Sequence, residues 1–157
     1  MPLNRSSFRF KTEIRIRNYE IDWQGVVHNA VYLMYLETGR VSYLQHLGVP
    51  INHDAIRNES RIVVARNEID YVSPAHFDET LDVYTRISSI RNSSFTFEGL
   101  LIEQGSGRIV AENVSIHVWL SQTTRRPAPV GDWFRKAVRA FEGENVQILW
   151  LGGGADM

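Results

Sequence analysis

The sequence predicts an α+β fold in which one antiparallel sheet packs against a long helix. An alternating segment near the N-terminus is typical of a half-buried strand, and an almost wholly apolar segment of helical periodicity follows it. Four more alternating segments then follow in succession. Strands with a single apolar face need a covering layer, and the helix supplies it.

The first strand is predicted over residues 8–17, where apolar side chains and one threonine alternate strictly with charged side chains. The helix is predicted from about residue 29 to residue 47. Only a narrow polar strip interrupts its apolar surface, so we expect other structure to enclose it. Gly48 and Pro50 end the helix. Its helical spacing is carried by Tyr32, Tyr35, Leu36, Gly39, Tyr43 and Leu47.

The rest of the chain is predicted as a loop with short-helix character, four strands and a last helix. The strands cover residues 62–71, 80–90, 94–103 and 108–120, and the intervals 91–93 and 104–107 are short enough for hairpins. The last helix begins at about Asp132. We therefore expect a single domain over residues 1–157, with its core at about 8–141 and a tail at 142–157.

The composition excludes several classes of function. No cysteine is present, which rules out disulfides, thiolate metal sites and a cysteine nucleophile. A formal net charge of −1 gives no basic field for nucleic acid, and no run of about 18 apolar residues is present to span a membrane. The N-terminus lacks the apolar core of a signal peptide, so a cytoplasmic location is expected. The histidines lack metal-ligand spacing, and we expect no metal or other cofactor.

One segment, NYEIDWQGVVHNAVYLMYLETGR at residues 18–40, carries most of the functional signal. It resembles the signature of hotdog-fold thioesterases, in particular the 4-hydroxybenzoyl-CoA thioesterase family and its acyl-CoA thioesterase relatives. The shared pattern is an aromatic residue, an acid, D-x-x-G and a helix that contains Y-x-x-Y-x-E. The resemblance covers roughly residues 9–135 and implies the hotdog fold, an antiparallel sheet of about five strands wrapped around a long central helix.

The resemblance implies an acyl-CoA thioesterase that hydrolyses a thioester to free acid and CoA. Asp22 would act as nucleophile or general base, and a backbone N–H at Asn29 or His28 would polarise the thioester carbonyl. The His28 side chain is a candidate for a second polar catalytic group. Substrate contacts are expected at the loop and helix residues Gly25, Val27 and Tyr32. For the CoA phosphates they are expected at Arg91, at Ser93 and at Arg126 or its neighbour Arg125.

Elementary chemistry agrees with this assignment. Gly25 permits a tight backbone path that brings Asp22 close to the helix start. The first N–H groups of a helix have no intrahelical partner and lie at the positive end of its dipole, so they favour a developing oxyanion. The alternative for each residue is a purely structural role. Asp22 would then be a turn residue, Tyr32 a core aromatic and Arg126 a solvated turn residue.

Active sites of this fold lie between subunits, so the resemblance also implies a homodimer or homotetramer. Two alternatives to the hydrolase remain open. One is a non-catalytic acyl-CoA-binding module that keeps the fold, and the other is an acyl-thioester hydratase or dehydratase, for which His28 is available.

Overall fold

The computed structural model describes residues 2–51 and 61–149, and its elements follow the predicted order. The predicted short-helix character before residue 62 and the end of the tail, residues 150–157, lie outside the described residues. In chain order the elements are β1 (Lys11–Arg15), α1 (Asn29–His46), β2 (Arg61–Tyr71), β3 (Thr80–Ile90), β4 (Ser94–Glu103), β5 (Ile109–Leu120), α2 (Asp132–Glu142) and β6 (Gln147–Ile148).

The strands form one sheet in the order β1-β3-β4-β5-β2, and β6 also pairs with β3. All five residues of β1 pair antiparallel with β3. Short hairpins join β3 to β4 and β4 to β5, whereas β6 runs parallel to the end of β3 at Ser89 and Ile90. The predicted α+β class is confirmed. The sequence does not predict β6, because a two-residue strand shows no alternation.

The prediction of a strand over residues 8–17 is too long at both ends. β3 begins at Thr80, opposite Arg15, so the β1 ladder ends there. Ile16 N still donates to Glu79 O at 2.9 Å, and the chain then turns through a 3₁₀ helix at Asn18–Glu20. Before β1, residues Arg5–Ser7 form another 3₁₀ turn. Within β1 the predicted alternation of exposure is present.

The chain divides into two compact units. The first contains Met1–Tyr43, Glu68–Arg86 and Glu98–Asn113. Its core forms where the buried face of α1 meets the sheet. The helix lies close to the sheet at Gly39, where a Cβ would lie 2.5 Å from Val83 Cγ1. Helix α1 ends in a glycine turn, in which Gly48 has a φ of +85°.

The second unit contains Leu44–Asn67, Ile87–Phe97 and Val114–Met157. The fully buried Phe134 of α2 packs on Phe95 and Trp119, with ring centroids 4.9 and 5.2 Å away. Buried side chains continue past the predicted core limit of residue 141, at Glu142 and Val146. A single domain over residues 1–157 remains a prediction.

Candidate active site

The loop between β1 and α1 is a tight turn closed by backbone hydrogen bonds. Ile21 and Val27 form an antiparallel bridge, and Asp22 N donates to Val26 O at 2.8 Å. Gly25 N donates to Asp22 O at 3.1 Å, and Gly25 has a φ of +85°, a conformation that side chains other than glycine rarely adopt. The backbone therefore turns at Gly25, as expected, and Asp22 is the first residue of the turn.

The Asp22 carboxylate is held by its own turn through one oxygen. Its Oδ1 accepts hydrogen bonds from Gln24 N at 2.8 Å and from Val26 N at 3.5 Å. No hydrogen bond from the described part of the chain reaches Oδ2. Asp22 is thus a turn residue, and this partly buried residue also keeps one carboxylate oxygen available for chemistry.

The start of α1 distinguishes between the two predicted oxyanion donors. His28 N donates to Glu20 O at 3.0 Å, so this amide is already used. His28 Nδ1 accepts from Ala30 N at 3.0 Å, which caps the helix and places the proton of the neutral ring on Nε2. Among residues 2–51 and 61–149, none accepts from the N–H of Asn29. The open amide at this helix end belongs to Asn29.

Two predicted substrate contacts, Val27 and Tyr32, are buried and hold the loop in place. Val27 N donates to Ala75 O at 2.9 Å, and Ala75 N donates to the Tyr32 hydroxyl at 3.1 Å. Burial is the main reason that the pKa of Tyr32 is raised. In the single chain both side chains are part of the core, in agreement with the core reading of Tyr32.

A hydrogen bond between Tyr35 and Glu20 also holds the loop, and the sequence did not predict it. The Tyr35 hydroxyl donates to Glu20 Oε1 at 2.9 Å, and the same oxygen accepts from Arg17 N at 2.8 Å. Burial, and then the hydrogen bond to Glu20, raise the pKa of Tyr35 well above its usual range. The available sequence signal was an acid two residues before Asp22 with a tyrosine on the buried face of the helix.

The start of α1 lies against the outer edge of the sheet. The hydroxyl of Tyr71, at the end of the edge strand β2, donates to Asn29 O at 3.0 Å, and the Tyr71 ring lies 5.4 Å from that of Tyr32. Tyr71 is half exposed, and Trp23, which follows Asp22, is 91% exposed. Apolar side chains are therefore exposed close to Asp22 and Asn29.

The other three predicted contacts belong to the second unit. Arg91 is exposed at the β3–β4 hairpin, which the bond from Arg91 N to Ser94 O closes at 2.8 Å. Ser93, in the same hairpin, is buried, and its carbonyl accepts from Trp119 N at 2.8 Å. Arg126 is exposed in the turn that follows β5, and its N–H donates to Thr124 Oγ1 at 3.3 Å. The structure thus presents the two arginines to solvent and encloses the serine.

A groove of about 730 Å³ opens beside the loop, but Asp22 does not line it. Its wall includes Tyr19, Phe77 and an ion pair between Arg15 and Asp78. In the described ranges, no three His, Asp or Glu side chains lie close enough together to hold a metal ion. No helix within those ranges is long and apolar enough to cross a membrane.

Comparison with known proteins agrees with this architecture. Residues 4–138 match the model of the thioesterase-like superfamily. A thioesterase from Thermus thermophilus, solved with coenzyme A and zinc, superposes with a TM-score of 0.75 at 31% identity over 87% of this chain and 96% of that one. A naphthoyl-CoA thioesterase structure from Synechocystis, at a TM-score of 0.76 and 20% identity over 82% and 94% of the two chains, supports the fold alone. The predicted hotdog fold is confirmed.

Two sequence relatives carry related names. A putative acyl-CoA thioesterase from Bacillus subtilis, YneP, is 32% identical over 81% of this chain and 88% of its own length. An Arabidopsis thaliana protein named chloroplastic acyl-acyl carrier protein thioesterase ATL2 is 30% identical over 78% of this chain, which spans only 66% of that protein's length. The family model covers most of the sequence, and the chain therefore belongs to the thioesterase-like superfamily.

Proposed function

We propose that the protein is an acyl-CoA thioesterase, in which water and an acyl-CoA give a free carboxylic acid and CoA. One observation carries the proposal. The turn at Asp22 leaves one carboxylate oxygen without a hydrogen-bond partner among the described residues. The N–H of Asn29, at the start of the neighbouring helix, also has no acceptor among them. A base or nucleophile together with an oxyanion donor is sufficient for a thioester, which needs less electrophilic help than an amide.

Asp22 Oδ2 would either attack the thioester carbon or take a proton from the attacking water. In the first route an acyl–aspartyl anhydride forms, the CoA thiolate leaves, and water then hydrolyses the anhydride. In the second route the carboxylate deprotonates water as that water attacks the carbon. In both, the Asn29 N–H would donate to the carbonyl oxygen as it becomes negative, an interaction worth about 3–4 kcal/mol in comparable sites.

The geometry of His28 favours hydrolysis over hydration or dehydration of the acyl chain. A hydratase needs a side chain that gives and takes a proton near the acyl carbons. The His28 Nδ1 instead accepts from Ala30 N and serves as a helix cap. We therefore propose that His28 caps the helix and that Asp22 is the group that transfers the proton.

For the leaving group we propose CoA, with its phosphates bound by exposed arginine side chains. Arg91 and Arg126 are exposed and suited to phosphate oxygens. A contact from Ser93 would need its buried side chain to become accessible. The names of the relatives include both acyl-CoA and acyl-acyl carrier protein thioesterases, so the assay below contains a carrier-protein substrate.

We propose that two copies pair along β2 and complete the site. β2 is an edge strand of eleven residues, in which Val63 is 40% exposed and Val64 is 51% exposed. Long edge strands with exposed apolar side chains are generally covered in solution. Because Tyr71 of this strand contacts Asn29, a second copy on this edge would lie beside the proposed oxyanion donor.

The catalytic proposal is tested by thiol release from benzoyl-, acetyl- and palmitoyl-CoA and from palmitoyl-acyl carrier protein. Asp22→Asn keeps an Oδ1 that accepts from Gln24 N, so the turn persists while the charge is removed. We expect kcat to fall by about 10²–10⁴-fold with an unchanged melting temperature. Asp78→Asn, which removes an exposed carboxylate from the neighbouring groove, serves as the matched control and should retain activity. Equal turnover in Asp22→Asn and wild type would exclude Asp22 from the mechanism.

The assembly is tested by light scattering coupled to size-exclusion chromatography. We expect a mass of twice 18.1 kDa, or a larger even multiple, for the wild type. Val64→Lys should shift the mass toward the monomer, because it places a charge on the proposed interface. A wild-type mass of 18.1 kDa at the concentration of an active sample would refute the shared site.

A further inference from the structure

A buried arginine of α2 is bonded to the hairpin that carries Arg91. Arg135 lies in the first turn of α2 and is only 7% exposed. Its Nη2 donates to Arg91 O at 2.7 Å and to Asn92 O at 3.0 Å, and its Nε donates to Val130 O at 3.1 Å. A buried guanidinium is costly unless it is hydrogen-bonded, and here two of its bonds go to carbonyls of the β3–β4 hairpin and one goes to Val130 O, in the segment before α2.

Backbone hydrogen bonds also hold the same hairpin. Asn92 O also accepts from Val130 N at 2.8 Å, and Trp119 N donates to Ser93 O at the same distance. The inward-facing carbonyls of the turn are thus engaged from α2, from the segment before it and from β5. The Arg91 side chain, by contrast, is exposed.

We propose that Arg135 is a positioning residue for the nucleotide end of the substrate, and that it acts through Arg91. The inference depends on the proposed function, in which Arg91 contacts the CoA phosphates. Arg135 holds the carbonyls of Arg91 and Asn92 at once, which orients the backbone from which the Arg91 side chain projects. The planar guanidinium of Arg135 donates to three carbonyls at once. A lysine has a single ammonium group on a flexible side chain and cannot reproduce this geometry.

The test compares two thioesters of the same acyl group, one on CoA and one on pantetheine, which lacks the phosphates and the adenosine. Arg135→Lys should raise KM for the acyl-CoA about tenfold and leave kcat within about twofold, since a charge-assisted bond to the turn is lost while Asp22 is untouched. KM for the acyl-pantetheine should not change. Arg91→Ala should behave alike, and adding Arg135→Lys to it should have little further effect.

Two variants separate positioning from stability. Arg139→Met removes an exposed arginine one turn further along α2 and should match the wild type with both substrates. Arg135→Gln keeps a hydrogen-bond donor and removes the charge. Its activity on acyl-pantetheine, with its melting temperature, reports whether the fold survives even if Arg135→Lys is poorly folded.

The KM values with the two thioesters distinguish a positioning role of Arg135 from a structural one. A parallel loss with acyl-CoA and acyl-pantetheine would show a structural role only, and an unchanged KM for acyl-CoA would show no role. If the wild type hydrolyses no thioester, the proposed function fails instead. Calorimetric titration with CoA then still tests Arg135, because weaker binding to Arg135→Lys than to Arg139→Met supports the inference and equal binding overturns it.

Discussion

Removal of the Tyr35 hydroxyl tests the attachment of the loop that carries Asp22 to α1. In wild type this hydroxyl donates to Glu20 Oε1 at 2.9 Å, and Glu20 O in turn accepts from His28 N at 3.0 Å. Glu20 therefore joins the loop to the helix from two sides. Tyr35→Phe keeps the ring and removes only the donor, so the change isolates this hydrogen bond from the packing of the aromatic side chain.

A hydrogen bond to a charged group contributes about 1.5–3 kcal/mol. Glu20 is only partly buried, so water replaces some of the lost bond and the lower end of this range applies. We expect Tyr35→Phe to reduce the free energy of unfolding in urea by about 1.5 kcal/mol. For a chain of this size that corresponds to a decrease in melting temperature of about 3–6 °C. Turnover should also fall, because Glu20 positions the turn that carries Asp22.

The pH dependence gives the prediction a second, independent readout. The folded pKa of Tyr35 is raised, whereas an unfolded tyrosine titrates near about pH 10. The folded state therefore holds the proton to higher pH, so the contribution of Tyr35 is complete below about pH 10 and is lost as the pH rises toward the folded pKa. The difference in stability between wild type and Tyr35→Phe should be constant from about pH 6 to 9 and smaller at higher pH.

Tyr19→Phe is the matched control, because the Tyr19 hydroxyl is exposed and contacts only Arg17 among the described residues. We expect this variant to differ from wild type by less than about 0.5 kcal/mol. A Tyr35→Phe variant as stable and as active as Tyr19→Phe would refute the role given to Glu20. A stability difference that grows with pH above 10 would refute the assigned direction of the pKa shift.

Three further substitutions test the loop and the core. Gly25→Ala meets no atom within 4 Å, so its cost is the positive φ alone, about 1–2 kcal/mol in a urea melt, together with a lower kcat as the turn distorts. Gly39→Ala places a methyl group 2.5 Å from Val83 Cγ1 and 2.7 Å from Thr85 Oγ1 and should lower stability by about 1–3 kcal/mol, and the same change should cost less when it is made in a Val83→Ala background. His28→Asn keeps a capping side chain at the helix start, so kcat should stay within about threefold of wild type.

Each of these predictions has an outcome that contradicts it. Full stability and activity of Gly25→Ala would show that the turn tolerates a side chain at positive φ. Additive effects of Gly39→Ala and Val83→Ala would show that the two residues do not compete for the same space. A loss of kcat in His28→Asn as large as that in Asp22→Asn would make His28 a catalytic residue instead of a cap.

The sequence predicts those parts of the fold whose burial follows a period. The bounds of β3 and β4 agree with the alternation at residues 80–90 and 94–103, and α1 ends within one residue of its prediction, at His46. The ends of β1 and the presence of β6 depend on where a partner strand begins or is available, which no local pattern records. The predicted enclosure of α1 is partial, since Met34 on this helix is exposed.

For the candidate site, too, the sequence predicts what depends on local geometry and not what depends on contacts between distant residues. The turn at Asp22 and Gly25 follows from local geometry, and the resemblance supplied the roles that are proposed for them. The choice of Asn29 over His28 as the open amide required the contact between His28 N and Glu20 O, which forms only when the loop folds back. The bonds from Arg135 to the β3–β4 hairpin join residues more than 40 positions apart, so spacing in the sequence contains no sign of them.

The most direct test of the central claim is a crystal structure of Asp22→Asn with a bound acyl-CoA that it cannot hydrolyse. We expect the thioester oxygen at about 2.7–3.1 Å from Asn29 N, with the residue 22 side chain beside the carbonyl carbon. A thioester bound elsewhere, for example in the groove beside Tyr19 and Phe77, with Asn29 N hydrogen-bonded only to water, would contradict the assignment of both groups.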